Sequence, residues 1–445
     1  MNENIMEKIV SLCKRRGFIF PGSEIYGGLA GTYDYGPVGS HLKQNVRDQW
    51  RYTMTHMHDN IVEVDASILM ERKVWDASGH TSAGFTDPLQ ECKKCHKRWR
   101  ADHLTEEGKT KCPECGGALT ETKRFNLLVK THLGPVEDDS TLTYLRGETT
   151  QGIYVNFASV VETMRMRIPF GIAQVGKAFR NEITPGHFTY RMREFEQMEM
   201  QFFVHHSEAD KWFVYWRQER MKWYVDLGIN PDHLRFRPHE KSELAHYAKA
   251  AEDIEYLFPF GWHEIEGIHN RGDWDLSRHS QFSGQDLSYQ DEKTGEKFIP
   301  YIIETSAGAD RATLAFIIDA YEEVEGGRTT TTKSVKEIET VLRFDRRLAP
   351  IKVAVLPLSK KDALIALAQD VAQMLRKNWI IQYDEAGSIG RRYRRQDEIG
   401  TPYCVTVDFE SLEDKKVTVR DRDTMKQERV VVAELKQYLQ EKFSL

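Results

Sequence analysis

Cysteine is scarce in this chain: six residues in 445. That is too few for a disulfide framework, and four of the six are gathered in one short stretch, which points to metal and not to bridges. No run of about 18 consecutive apolar residues occurs, so a membrane-spanning helix is excluded. The opening MNENIMEKIV lacks the basic, apolar and small-residue order of a leader. A cytoplasmic protein with no membrane partner is expected. There is no low-complexity tract, and the glycine-rich stretch 21–40 lacks the Lys-Ser/Thr ending of a P-loop, which removes that reading. Charge of one sign is not in excess either. With 62 basic and 68 acidic residues the formal net charge is −6, which argues against indiscriminate nucleic-acid binding but leaves room for a local basic surface.

What is present is an ordinary globular composition, 40% hydrophobic and 29% charged, in a chain long enough for two or three domains. The most unusual stretch is 178–203, AFRNEITPGHFTYRMREFEQMEMQFF. Its apolar alternation, broken at Pro185-Gly186, predicts two antiparallel strands joined by a loop. Those strands carry Arg180, Glu182, Arg191, Arg193, Glu194, Glu196 and Glu199. Charges on a half-buried sheet are costly unless paired or bound to a ligand. The stretch is therefore either a site for a zwitterionic or phosphorylated ligand or an internal salt-bridge ladder.

Cys92-Lys-Lys-Cys95 and, sixteen residues on, Cys112-Pro-Glu-Cys115 form two Cys-x-x-C knuckles. Four thiolates can close a tetrahedral shell, so the pair is read as a structural Zn²⁺ site within an insertion at 90–120. Cys13 and Cys404 are read as small buried hydrophobes.

Along the chain, Leu42, Val46, Trp50 and Met54 recur at fours and predict a helix over 41–57 with one apolar stripe. A strand is expected at 61–70, strands through 125–154, and a helix at 155–168. A further helix is expected at 207–227, opened by a Ser207-x-x-Asp210 capping box. Then come a strand at 233–239, a helix at 242–258, a strand from 261 that ends in an irregular polar turn by 284, and a strand–turn–helix at 298–321. The run 326–337 reads as a linker, followed by a connecting helix to Pro350. From 351 the pattern becomes βαβα with buried-type strands, predicting a separate small α/β domain with a mixed or mainly parallel sheet. Its charge is near neutral, yet Arg391, Arg392, Arg394 and Arg395 fall within five positions. Such a run is either a solvated helix face or a phosphate-binding surface.

Phe179-Arg-Asn-Glu182 with the downstream Arg191 to Phe195, and Gly308-Ala-Asp-Arg-Ala-Thr-Leu-Ala-Phe-Ile-Ile-Asp319, resemble motifs 2 and 3 of class II aminoacyl-tRNA synthetases. The segments 33–45, 64–80, 145–154, 267–276 and 387–408 resemble the homodimeric glycyl type. The resemblance covers nearly the whole chain. It implies an α+β fold, with a class II antiparallel-sheet catalytic domain over 1–345 carrying the zinc-knuckle insertion, and an α/β anticodon-binding domain over 346–445. It also implies a homodimer formed partly through the helix near 37–57, with ATP, glycine and tRNA as substrates and Mg²⁺ on the phosphates.

By the same resemblance Arg180 meets the α-phosphate, Glu182 the adenine edge and Phe195 the adenine face, while Arg191 and Arg311 hold the β- and γ-phosphates. Glu148, Glu199 and Glu304 would surround the glycine ammonium with Ser306 beside them, and Arg271 would face the carboxylate. The four arginines 391, 392, 394 and 395 would meet tRNA. The chain departs from the family pattern at Gly147, Thr150 and Thr305, and its Pro185-Gly186-His187 loop lacks an arginine often found there. The competing readings are a threonyl-, prolyl- or histidyl-type enzyme and an inactive synthetase-like subunit. The ATP-binding arginines speak against the latter.

Overall fold

The computed structural model describes residues 3–82, 85–106, 108–240, 249–325 and 338–444. A seven-stranded sheet organises the larger part of the chain. Its strands in chain order are β1 (Ile61–Glu63), β2 (Phe170–Phe179), β3 (Glu194–Val204), β4 (Leu234–Pro238), β5 (Ala250–Phe258), β6 (Gly261–Gly272) and β7 (Tyr301–Gly308). In space they run β4-β5-β6-β7-β3-β2-β1. Every pairing is antiparallel except the parallel β1–β2 edge.

The sequence of β3 explains how the sheet divides its two faces. Side chains alternate along a strand, so Met198, Met200, Phe202 and Val204 enter the main core. There they meet α1 (Pro37–Arg51), α2 (Ala209–Asp226) and α3 (Ala309–Ala320). The other set runs Phe195, Gln197, Glu199, Gln201, Phe203. Gln197 and Glu199 face the cleft described below, Gln201 is buried beneath Tyr154, and Phe203 closes an apolar cluster with Phe157, Phe170 and Ile302.

The expected stripe of α1 is buried: Leu42, Val46 and Trp50 lie inside, and Met54 continues it in the π-turn Tyr52–His56. Gly39 lets this helix press on the preceding segment, since a Cβ there would lie 1.8 Å from the Phe18 carbonyl oxygen. The helix is also tied to the sheet by charge. Lys43 reaches Glu196 at 2.9 Å and Asp310 at 2.7 Å, and Arg47 reaches Glu196 at 2.6 Å.

Several expectations are corrected. The stretch 145–154 is strand only to Leu145, and Thr150–Val155 is a helix, where Tyr154 and Ile153 pack inward. Within 242–258, residues 241–248 lie outside the described ones and Ala250–Phe258 is strand, not helix. Ladders to β4 over Glu252–Tyr256 and to β6 along the whole strand override the helix propensity of its alanines and glutamates. The polar turn after β6 is a ten-residue helix, α4 (Trp274–Ser283), ended by Gly284 at φ +73°. Its polarity misled because its inward residues include Asp275 and His279.

Helix α2 starts at Ala209 without a Ser207 capping box; instead the Ser207 amide donates to His205 Nδ1 at 3.3 Å. The connecting helix before Pro350 is a strand, Glu339–Leu342, paired with Tyr321–Val324. The linker reading at 326–337 falls outside the described residues.

After Ile351 a second sheet has the order 381–383, 353–357, 403–407, 416–421, 427–431. Its first three strands are parallel and the last two antiparallel, the mixed sheet expected. Val353–Pro357 and Tyr403–Val407 are buried throughout, as their apolar composition requires. No helix among the described residues is long and apolar enough to cross a membrane.

Candidate active site

Cross-strand register places the polar residues. Glu199 on β3 stands opposite Gln174 on β2 and Ser306 on β7, and Ser306 stands opposite Gly267 on β6. One step along the same face, Gln201, Glu304 and His269 form the next row. Glu148 arrives from the loop after Leu145, and the helix that follows supplies Thr150 and Gln151. Together with Arg180, Glu182, Arg191, Phe195 and Arg311, the three carboxylates line one cleft of about 220 Å³.

The inner end of the cleft is acidic, and each acid is held differently. Glu199, 1% exposed, accepts from Gln197 Nε2 and Ser306 Oγ, each at 2.8 Å, and from the Thr150 hydroxyl. No cation touches it among the described residues. Burial, then the charges of Glu304 and Glu148, push its carboxyl up to about 7. Glu304 is paired with Arg271 Nη1 at 2.6 Å. Burial works to raise its carboxyl, but Arg271 and His269 outweigh this and hold it below the usual range. Glu148 accepts from Gln151 Nε2 at 2.8 Å and has His80 Nε2 at 3.3 Å. Here too burial is outweighed, by His80 first and Arg271 after it, so Glu148 stays ionised.

Arg271 is in the pocket wall, but its guanidinium does not stand open towards a substrate carboxylate. It forms a fork on Asp275, Nε to Oδ2 at 2.7 Å and Nη2 to Oδ1 at 2.8 Å, besides the bond to Glu304. The four-residue spacing of Arg271 and Asp275 across the start of α4 makes this pairing, which the reading of 274–284 as an irregular turn could not anticipate.

The outer end is cationic. Arg180 donates to the Gly147 carbonyl at 3.0 Å and lies between the rings of Phe85 and Phe195, at 5.2 and 5.3 Å. Arg311 stacks on Tyr190 at 4.4 Å and meets Glu264 at 3.3 Å. The Arg191 guanidinium has no hydrogen-bond or ion-pair partner among the described residues and borders the cleft. Glu182 is buried, with Oε2 unpartnered among the described residues.

The charges of the hairpin divide between ion pairs and the cleft. Glu194 pairs with Lys177, Glu196 with Lys43 and Arg47, and Arg193 with the Ala30 and Glu182 carbonyls. Arg180, Glu182, Arg191 and Glu199 face the cleft.

The ligand atoms of Cys92, Cys95, Cys112 and Cys115 lie within 4.8 Å of one another. The closest pairs are Cys92–Cys115 at 3.4 Å and Cys95–Cys112 at 3.6 Å. Lys94 and Cys95 amides point at Cys92 Sγ at 3.4 and 3.5 Å, the turn of a metal knuckle.

The arginine run of 391–395 divides. Arg392 is 2% exposed, and its guanidinium donates to the carbonyls of Pro357, Asp384 and Leu358, which fixes it inside the fold and removes it from any RNA-facing surface. Arg394 pairs with Glu339 at 2.8 Å and Arg395 with Asp384 at 3.0 Å. Arg391 is exposed.

Sequence reasoning missed His80, Gln151 and Gln197, which hold the acids, and Asp310, which accepts the Glu196 amide at 2.7 Å and so joins α3 to β3. The alternation Gln197-x-Glu199-x-Gln201 between buried methionines was the signal for one of them; His80 had none.

Comparison with known proteins identifies the family. A family model described as the tRNA synthetase class II core domain (G, H, P, S and T) matches residues 135–321, and one described as an anticodon binding domain matches 352–442. The chain is 53% identical over 457 residues to a glycine--tRNA ligase of Thermobifida fusca, covering 99% of this chain and 98% of that protein. It is 55% identical over 433 residues to that of Treponema denticola, covering 97% and 95%. With the glycine--tRNA ligase of Streptomyces coelicolor it shares 53% over 452 residues, covering 98% and 97%. The chain belongs to the glycine--tRNA ligase family of class II tRNA synthetases.

Proposed function

We propose that the cleft activates glycine with ATP and passes the glycyl group to the 3′-terminal adenosine of tRNA, with the acidic end binding the amino acid and the cationic end the nucleotide. The supporting observation is the convergence of Glu148, Glu199 and Glu304 beside the small residues Gly267, Ser306 and Thr150, a few residues from three arginines. Three acids at one spot are sensible where a cation completes them, and an α-ammonium is that cation. A close wall excludes any added β-carbon, whereas gripping a small substrate yields only about 1–3 kcal/mol per group.

The glycine carboxylate attacks the α-phosphorus in line and pyrophosphate leaves. The carboxylate is already a nucleophile, so positioning and charge stabilisation dominate over general base catalysis. Arg180 faces the α-phosphoryl oxygens, and Arg191 and Arg311 the β- and γ-phosphates. Phe195 covers the adenine, and the unpartnered Glu182 Oε2 accepts from its amino group. Were Mg²⁺ bound with the nucleotide, the oxygens of Glu264 beside Arg311 would suit such a hard cation, which would offset phosphate charge.

Zn²⁺ suits the four thiols: with Zn–S near 2.3 Å the edges of a tetrahedron measure about 3.8 Å, close to the two Sγ pairs. All-cysteine ligation leaves no open position, so its work is structural. The tRNA end is read as approaching over the Thr184–His187 loop, where Arg100, His103 and Lys109 of the zinc module line the opposite wall of a groove. In the C-terminal unit, proposed as 346–445 against a catalytic unit of 1–345, Arg391 is the member of the arginine run best placed to meet RNA. For the homodimer, also taken as cytoplasmic, Tyr52 and Met57, 49% and 62% exposed just beyond α1, offer an apolar patch suited to a second copy. The test is aminoacylation of tRNA with labelled glycine by the wild type and by Glu199→Gln, which should charge poorly.

A further inference from the structure

Glu148 differs from the other two acids in being gripped through histidines at both oxygens. Oε2 lies 3.3 Å from His80 Nε2. Oε1 accepts from Gln151 Nε2 at 2.8 Å, and Gln151 Oε1 in turn lies 2.8 Å from His279 Nε2. An ionised carboxylate only accepts, so this contact favours the ring form with a proton on Nε2. Its other nitrogen, Nδ1, is 2.8 Å from Ser78 Oγ, which fixes the ring from behind. The ring is 8% exposed and boxed between Trp75 and Phe85, with ring centroids at 5.3 and 4.6 Å. Held between these rings and Ser78, it turns Nε2 towards Glu148.

We propose that His80, backed by Ser78, is a positioning residue for the amino-acid pocket. It anchors one oxygen of Glu148 so that the carboxylate stays turned towards the substrate ammonium. His80 makes no contact with substrate itself. The inference rests on the reading of Glu148 as an ammonium ligand, and it gives the segment Trp75 to His80, which precedes the zinc module, a part in glycine binding.

The experiment measures KM for glycine and KM for ATP separately, by ATP–pyrophosphate exchange, in four variants of the full chain. His80→Phe keeps a ring in the Trp75–Phe85 box but loses the N–H donor. It should raise KM for glycine about tenfold or more, the usual effect of removing a hydrogen bond to a charged group, with KM for ATP within about twofold. His80→Gln, which retains an N–H donor, should recover part of the loss. Ser78→Ala should shift glycine KM in the same direction by less. Glu148→Gln separates the two readings: if it leaves glycine KM unchanged, the pocket assignment itself fails. If it raises glycine KM while His80→Phe does not, only the role of His80 fails. An equal rise in both KM values for the two His80 variants, or failure of both to fold, would make His80 a core residue and overturn the proposal.

Discussion

Arg271 Nη1 and Glu304 Oε2 stand 2.6 Å apart on neighbouring strands, and the same guanidinium forks onto Asp275. One arginine thus pairs with two buried acids at the wall of a pocket that a third acid, Glu199, enters without a cation among the described residues.

Removing that arginine should unfold more than it disables. Arg271→Ala leaves Asp275 and Glu304 buried without their partner, and breaking a buried pair of this kind costs about 3–5 kcal/mol. Denaturant melts should show the loss. A variant as stable as the wild type would mean that water replaces the guanidinium freely.

Glu199 makes a pH dependence. Its carboxyl sits at about 7 in the folded chain against 4.5 as the ordinary value. The folded state therefore holds this proton more tightly than the unfolded chain does. Its contribution to stability is full below 4.5 and is lost as pH rises through about 7. Glycine binding follows the opposite sign, because an ammonium favours the ionised acid. Affinity for glycine should rise across the same window, with release of up to one proton per glycine bound near the lower end. Calorimetry in buffers of different ionisation enthalpy measures that proton, and binding without any release would contradict the assignment.

Neighbouring arginines should separate cleanly. Arg392→Ala strands three carbonyls that its guanidinium now satisfies, and should destabilise the C-terminal unit by about 1–3 kcal/mol. Arg391→Ala touches no internal partner among the described residues and should leave the melt unchanged while weakening tRNA binding. Equal behaviour of the two would mean that the helix 389–399 lies differently from its place here.

Metal content tests the four thiols. The chain should carry about one zinc per molecule, and Cys92→Ala with Cys95→Ala should lose it. The seven-stranded sheet shares no ligand with that module and should melt as before. A double variant that retains its zinc contradicts the four-cysteine site.

Much of this was legible in the residues. The alternation in 194–204 gave both a strand and its two faces, the stripe of Leu42, Val46 and Trp50 gave a buried helix, and the spacing of Cys92 to Cys115 gave a closed ligand set. What failed did so for identifiable reasons. Ala250–Phe258 has helical composition but two strand neighbours, and pairing across strands is decided by residues far away in sequence. Trp274–Ser283 hid its helix because its inward side is polar, Asp275 and His279 serving the pocket. The run of arginines at 391–395 looked like a surface, yet burial depends on which carbonyls the fold brings near, and for Arg392 it brings three. The clamp of His80 on Glu148 joins positions 68 residues apart with nothing periodic between them, so only the folded chain reveals it.

The central claim is that the acidic pocket selects glycine for activation. Amino-acid-dependent ATP–pyrophosphate exchange, run in parallel with glycine, alanine, serine and threonine, tests it most directly. Exchange with glycine and little with the other three is the predicted result; exchange with threonine and none with glycine would contradict the account.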